Sequence, residues 1–281
     1  MALPTRFALA QRSLAVVVGL TVLLSALPAH ALRVVNYNLL NYPGSSGTAR
    51  APYYRTILTP LNADVIVAQE VNFGGPTQFL NEVLEVIEPG QWATVPFIDG
   101  NDTDGALFYK PAKVQFLGQG AFYPNPAILL RFVHTYRILP VGYTSAAAVL
   151  RLYTAHLKAS PGFESQRLAE CTGVRDSMNT MPAGTHAIFT GDLNFYTQAA
   201  EPGYAKLLES QANNIGRLYD LLPGGSWHDG PSFAPIHTQS TCLNAPCASG
   251  AATGGMDDRF DFILPTYSLG TGQGLAVIPG T

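Results

Sequence analysis

Short apolar runs, each closed by a side chain able to bind a cation or a phosphate, set the main limit on how this chain folds. Asp64-Val65-Ile66-Val67-Ala68-Gln69-Glu70 is almost continuously apolar before it ends in Gln69-Glu70. Such a run fits a strand buried on both faces between helix layers. Leu32 to Asn38 reads as a strand that ends in Asn38. Leu150 to Ala155 leads to His156, and His186 to Thr190 leads across Gly191 to Asp192 and Asn194. Polar groups at strand ends sit where loops gather around a shared cleft, and strands hold them more firmly than loops do.

Helical patterns separate these strands. Residues 49–61 and 203–212 read as helices. Residues 76–88 carry Phe79, Leu80, Val83, Leu84 and Ile87 at helical spacing. An amphipathic helix is expected over 163–180, ended by Met181-Pro182-Ala183-Gly184. Strands dominate from 92 to 157, with 131–140 and 147–157 flanking Gly142-Tyr143-Thr144-Ser145 as a hairpin. Residues 223–256, rich in Gly, Pro, Ser and Ala, read as a long loop that is either part of a site or mobile. Arg259 to Leu264 is a last strand. Hairpins mixed with helix-separated strands imply an α/β or α+β sandwich, not a strictly parallel doubly wound sheet. With 12% charged residues and a mean hydropathy of +0.13, the chain has no disordered character.

The first 31 residues have the layout of a secretory signal peptide. Arg6 and Arg12 precede the apolar run Leu14 to Leu24, and Ala29-His30-Ala31 is a small-x-small cleavage site. The run is short for a membrane span. The expected domains are therefore 1–31, removed on export, and 32–281, one secreted or periplasmic domain. Setting aside Arg6 and Arg12 takes the 16 basic residues to 14 against 19 acidic ones, a net charge of −5. That is not the charge of a protein that coats nucleic acid, although a bound divalent cation supplies positive charge locally. Cys242 and Cys247 are spaced to close a small disulfide in an exported loop, and Cys171 is expected to be a buried thiol.

Two carboxylates, two amides and an imidazole form a chemically coherent set. Oxygen donors suit Mg²⁺, which binds through one or two carboxylates plus substrate phosphate. A Lewis acid offsets the charge that makes a phosphodiester resist attack, and a carboxylate then orients or deprotonates water. Taken singly, each residue has an ordinary reading. Asn38 caps a turn, Glu70 is a surface carboxylate, His156 is a half-buried histidine, Asp192 and Asn194 form an Asx turn, and Asp261 pairs with Arg259. The functional reading rests on the ordered set.

In that order, Asn38, Gln69-Glu70, His156-Leu157, Gly191-Asp192-Leu193-Asn194 and Arg259-Phe260-Asp261-Phe262-Ile263-Leu264 resemble the endonuclease/exonuclease/phosphatase superfamily over Leu32 to Leu264. The resemblance implies a four-layer α/β sandwich, two mixed sheets face to face with helices outside. It implies Glu70 and Asn38 as metal ligands, for Mg²⁺ or else Mn²⁺ or Ca²⁺. Asp192 would activate water, Asn194 and His156 would hydrogen-bond the phosphate, and Asp261 would orient a histidine. The expected activity is that of a monomeric metal-dependent phosphodiesterase or nuclease. DNA is the first-ranked substrate, ahead of a phospholipid headgroup or a small phosphoester.

One departure stands out. In the family, the histidine oriented by Asp261 belongs to a Ser-Asp-His segment, and here the last histidine is His237. Three readings stay open. The sequence stops short of that segment; His228 or His237 substitutes; or the chain is a non-catalytic relative that binds phosphate ligands. Asp102 and Asp104, before the strand Ala106 to Tyr109, read as lining the cleft or, more simply, as a solvated turn. Arg131, Arg137 and Lys158 are basic side chains within reach of phosphates or simply at the surface.

Overall fold

A computed structural model of the protein describes residues 31–222, 224–240, 242–247, 252–271 and 274–278. Apart from Ala31, the signal-peptide segment lies outside the described residues. Among those described, no helix is long and apolar enough to cross a membrane.

The long apolar runs pair as two open sheets. In the first, β1 (Val34–Tyr42), β2 (Val65–Val71), β3 (Ala93–Thr94) and β4 (Asp104–Tyr109) are ordered β1-β2-β4-β3. β1 and β2 run parallel, and β4 is antiparallel to both its neighbours. In the second, β5 (Val114–Phe122), β6 (Val133–Pro140), β7 (Leu150–His156), β8 (His186–Asp192) and β9 (Asp261–Pro265) lie in that order. Here β7 and β8 are parallel and the other pairs antiparallel, which includes the expected hairpin. Both sheets are mixed, as the sequence reading required.

The two-residue period of a strand sorts side chains between layers. Val65, Val67, Leu107, Ile138, Leu152 and Ile188 form the core between the sheets. Ile66, Ala68 and Phe108 face the opposite way and pack with Leu58, Phe79 and Val83. These last three belong to α1 (Gly47–Leu61) and to a helix that begins as α2 (Gly75–Phe79). That helix continues through a π-helical stretch, Leu80–Leu84, into α3 (Glu85–Ile87). On the other side, Tyr153, Phe189, Phe262 and Leu264 pack with Cys171, Val174 and Met178 of α4 (Glu164–Asn179) and with α5 (Pro202–Leu208). Three cores separate four layers, so the molecule is an α/β sandwich. Each fully buried Leu or Phe in these cores contributes about 1.5–3 kcal/mol.

The long 223–256 loop is anchored where it is described. Trp227 is wholly buried and donates Nε1–H to the Phe195 carbonyl at 2.8 Å. A 3-10 turn follows at Pro231–Ile236, and Cys242 and Cys247 form the disulfide. Cys171 is a buried free thiol.

Candidate active site

Strand direction brings one set of ends together. The C-terminal ends of β1, β2, β7 and β8 meet the N-terminal ends of β4, β6 and β9, because antiparallel neighbours enter where parallel ones leave. At that end the side chains facing the opposite sheet change from apolar to polar. Val34 is followed on its face by Asn36 and Asn38, and Val67 by Gln69. Leu152 is followed by Thr154 and His156, and Ile188 by Thr190 and Asp192. The site is thus the polar continuation of the core between the sheets.

Glu70 should face away from that core by simple alternation. It faces inward because its backbone turns to φ +55°, where the β1–β2 and β2–β4 registers both shift. A bulge of this kind re-aims a side chain at some cost in backbone energy. Glu70 then accepts a hydrogen bond from Asn38 Nδ2 at 2.8 Å and from the Asn41 N–H at 3.1 Å. The same Asn38 Nδ2 donates to Asp192 Oδ2 at 2.9 Å, so one amide spans two carboxylates from opposite sheets. His156 Nδ1 lies 3.5 Å from Glu70 Oε1. Ligand atoms of Glu70, His156 and Asp192 all fall within 4.8 Å of one another.

Other candidates hold this set in place. Asn194, at φ +52°, donates Nδ2–H to Asp192 Oδ1 at 2.8 Å and to the Leu157 carbonyl at 3.3 Å. Both its amide hydrogens are thereby engaged around Asp192 and the end of β7. Asn38 is the residue the resemblance made a second metal ligand. Its oxygen accepts the Leu40 N–H at 2.8 Å, which leaves the amide nitrogen toward the carboxylates. Asp261 pairs opposite Asp192 in the β8–β9 ladder and accepts from Asn36 Nδ2 at 2.8 Å. Arg259 instead forms a two-pronged pair with Asp220.

Neither loop histidine bonds to Asp261. His237 contacts the carbonyls of Trp227 and Met256, which ties down the loop. His228 pairs with Asp258 at 2.7 Å and sits edge-on to Tyr196.

Burial and crowding of like charges dominate the electrostatics. Burial first, then the charges of Asp261 and Glu70, push the Asp192 carboxyl well above its ordinary value, against the Asn38 hydrogen bond. Burial, aided by Glu70, raises Asp261 to about 7, against hydrogen bonds from Thr238 and Asn36. Burial and the nearby Arg131 charge lower His156 to about 3, so its imidazole is neutral at pH 7. Its Nδ1 is buried with no hydrogen-bond partner among the described residues. Clustered carboxylates beside a neutral, unpartnered ring nitrogen are a donor set that a divalent cation fits.

Sequence reasoning missed several supporting residues. Gln69 Nε2 donates to Asn36 Oδ1 and to Thr154 Oγ1, both at 2.7 Å, and joins the sheets behind the carboxylates. Asn36 and Thr154 lie two residues before Asn38 and His156, so alternation alone places them on the same face. Asp104 is buried, not in a solvated turn. It pairs with His134 across the sheets at 3.0 Å and accepts the Gly100 N–H. Asp104 opens β4 and His134 is the second residue of β6, and attention to strand C-termini passed over His134.

No family model and no curated protein matches the sequence. Solved structures match in fold. A TDP2 from D. rerio, complexed with a single-strand DNA product, is 17% identical with a TM-score of 0.56, covering 84% of this chain and 83% of that one. A mannosyl-6-phosphatase from Bacteroides thetaiotaomicron is 17% identical with a TM-score of 0.57, covering 84% and 85%. An endonuclease/exonuclease/phosphatase family protein from the same organism is 16% identical with a TM-score of 0.56, covering 84% and 81%. With its two packed sheets, the chain has the endonuclease/exonuclease/phosphatase fold.

Proposed function

We propose that this chain is a divalent-metal-dependent phosphoester hydrolase, exported from the cytoplasm, that attacks phosphodiesters directly with water. The observation that carries the reading is the convergence of Glu70, His156 and Asp192 from three strands and two sheets. Glu70 and Asp192 would hold Mg²⁺ or Mn²⁺, with His156 beside them. The bound cation supplies Lewis-acid stabilisation of charge on the phosphate.

Asn38 fixes the spacing of the two carboxylates, and Asn194 fixes the rotamer of Asp192. A bound cation would offset the burial and like-charge repulsion that raise Asp192, leaving it ionised and able to take a proton from water. The neutral His156 ring adds no positive charge to repel a cation. Asp261, held by Asn36, keeps Asp192 company on the neighbouring strand. Among substrates, nucleic acid ranks first. The support is the DNA product held by the similar D. rerio TDP2, while the similar mannosyl-6-phosphatase keeps small phosphomonoesters next. The Cys242–Cys247 disulfide agrees with export.

A second reading, a phosphate-binding relative without turnover, draws on Asp261, whose bonds go to Asn36 and Thr238 and not to an imidazole. Plasmid DNA and a diester reporter, each with Mg²⁺ and with chelator, separate the two. Hydrolysis that needs the metal and is lost in Glu70→Gln supports the hydrolase. Phosphate binding without any turnover supports the alternative.

A further inference from the structure

The end of β1 holds two successive residues, Leu40 and Asn41, at φ +50° and +52°. Asparagine visits the left-handed region readily, but a leucine there is an outlier that persists only where its surroundings impose it. The constraint lies on both sides of the same two peptide units. On one side, the Leu40 N–H donates to Asn38 Oδ1 at 2.8 Å and the Asn41 N–H to Glu70 Oε2 at 3.1 Å. On the other, the carbonyls of those peptides, Leu39 and Leu40, each accept from Arg50 Nη1 at 2.8 Å. A planar trans peptide sets its N–H and its carbonyl in opposite directions, so whatever fixes the oxygens aims the N–H groups.

Arg50, on α1, is itself held firmly. Its Nη1 donates to the Tyr54 hydroxyl at 2.8 Å, and that hydroxyl donates to the Leu39 carbonyl at 2.8 Å. Its Nη2 donates to the Pro43 carbonyl at 3.2 Å. The guanidinium carbon stands 5.6 Å and 5.7 Å from the ring centres of Tyr42 and Tyr54, within cation–π range. The fork is thus fixed before it meets the turn. A charged donor on a carbonyl also polarises the peptide and strengthens the N–H at its other end.

We propose that Arg50 is a positioning residue for the carboxylate cluster. Acting through the Leu39–Leu40 and Leu40–Asn41 peptides, it aims the two N–H groups that orient Asn38 and Glu70. Its value for metal binding rests on the hydrolase reading, whereas the clamp on the turn stands apart from it. Glu70 reaches the cluster by its own backbone turn, and the Asn41 N–H sets the rotation of its carboxylate. A lysine carries the same charge on a single ammonium and does not reproduce a planar fork that serves three carbonyls.

The test compares the full chain with Arg50→Met and Arg50→Lys. In chelator, the Leu40 and Asn41 amides should exchange hydrogen faster in Arg50→Met, while amides of β7 and β8 keep their wild-type rates. Mn²⁺ affinity, read by titration, should fall about 10-fold in Arg50→Met, the lower end of the losses seen when a group supporting a metal ligand is removed. Arg50→Lys should lie between that variant and the wild type. Turnover of a diester reporter should drop at low Mn²⁺ and return at saturating Mn²⁺, a rescue that a general loss of folding does not give. Wild-type Mn²⁺ affinity in Arg50→Met, whatever its melting temperature, overturns the assignment. If Arg50→Met does not fold, Arg50→Lys carries the same comparison, and wild-type affinity and exchange in it overturn the assignment. A wild-type chain that binds no Mn²⁺ removes the hydrolase reading, and exchange then decides alone: faster at Leu40 and Asn41 upholds the clamp, and unchanged rates overturn it.

Discussion

At the scale of single residues, Asn38 and Glu70 show how little distinguishes a working carboxylate from an ordinary one. A glutamate after an apolar strand is unremarkable in sequence. Its role here depends on a backbone turn to positive φ and on an amide from a neighbouring strand. Asn38→Ala removes the donor shared by Glu70 and Asp192. It should weaken Mn²⁺ binding by about 10- to 100-fold, as losses around metal ligands typically do, which a calorimetric titration measures directly. Asp192→Asn removes the carboxylate placed to take a proton from water, and kcat should fall by about 10²–10⁴-fold. Strand-end pattern made Asn38, Glu70, His156, Asp192 and Asn194 legible in the sequence, and the family resemblance added Asp261. Their division of labour was not legible, because it depends on which amide hydrogen meets which oxygen. Asn194 gives its hydrogens to Asp192 and Leu157.

At the scale of elements, the loops after β7 and β8 are tied together behind the site. Arg167 on α4 is fully buried and forms a two-pronged pair with Glu201, at 2.9 and 2.7 Å. Its remaining Nη1 donates to the carbonyls of Lys158 and Ser160, and Glu201 also accepts the Tyr196 N–H. Glu201→Ala leaves the buried guanidinium with only the more distant Glu164 carboxylate, at 3.4 Å, and should cost about 3–5 kcal/mol in chemical denaturation. Gly191 is a second constraint. Its φ of +150° and the closeness of the Ala155 carbonyl leave no room for a Cβ. Gly191→Ala should push β7 from β8, where His156 and Asp192 sit opposite each other, and lower both stability and metal affinity. Apolar periodicity exposed these strands and helices because each is buried on a definite face. The Arg167–Glu201 tie had no such signal, since ion-pair partners 34 residues apart are chosen by the fold.

For the whole molecule, the site makes stability depend on pH and on the cation together. In chelator, Asp192 and Asp261 hold their protons more tightly folded than unfolded, so the folded state binds more protons and loses stability as pH rises. For Asp261 the window runs from the ordinary 3.8 up to about 7. The melting temperature of the metal-free chain should therefore decline across that interval, and Asp261→Asn should flatten the decline. An α/β or α+β sandwich was open to sequence reasoning, because mixed strand patterns and interleaved helices restrict the layers, and the family resemblance supplied the number of layers. What remained hidden was the sheet-to-sheet register, since Gln69–Thr154 and Asp104–His134 join segments with no local relation.

The most direct check on the account is a titration of Mn²⁺ into chelator-treated protein at pH 7.5, followed by electron paramagnetic resonance. The account predicts one site with saturable binding, abolished or strongly weakened in both Glu70→Gln and Asp192→Asn while each variant still melts cooperatively. Undiminished binding in either variant, or no bound Mn²⁺ in the wild type, contradicts it.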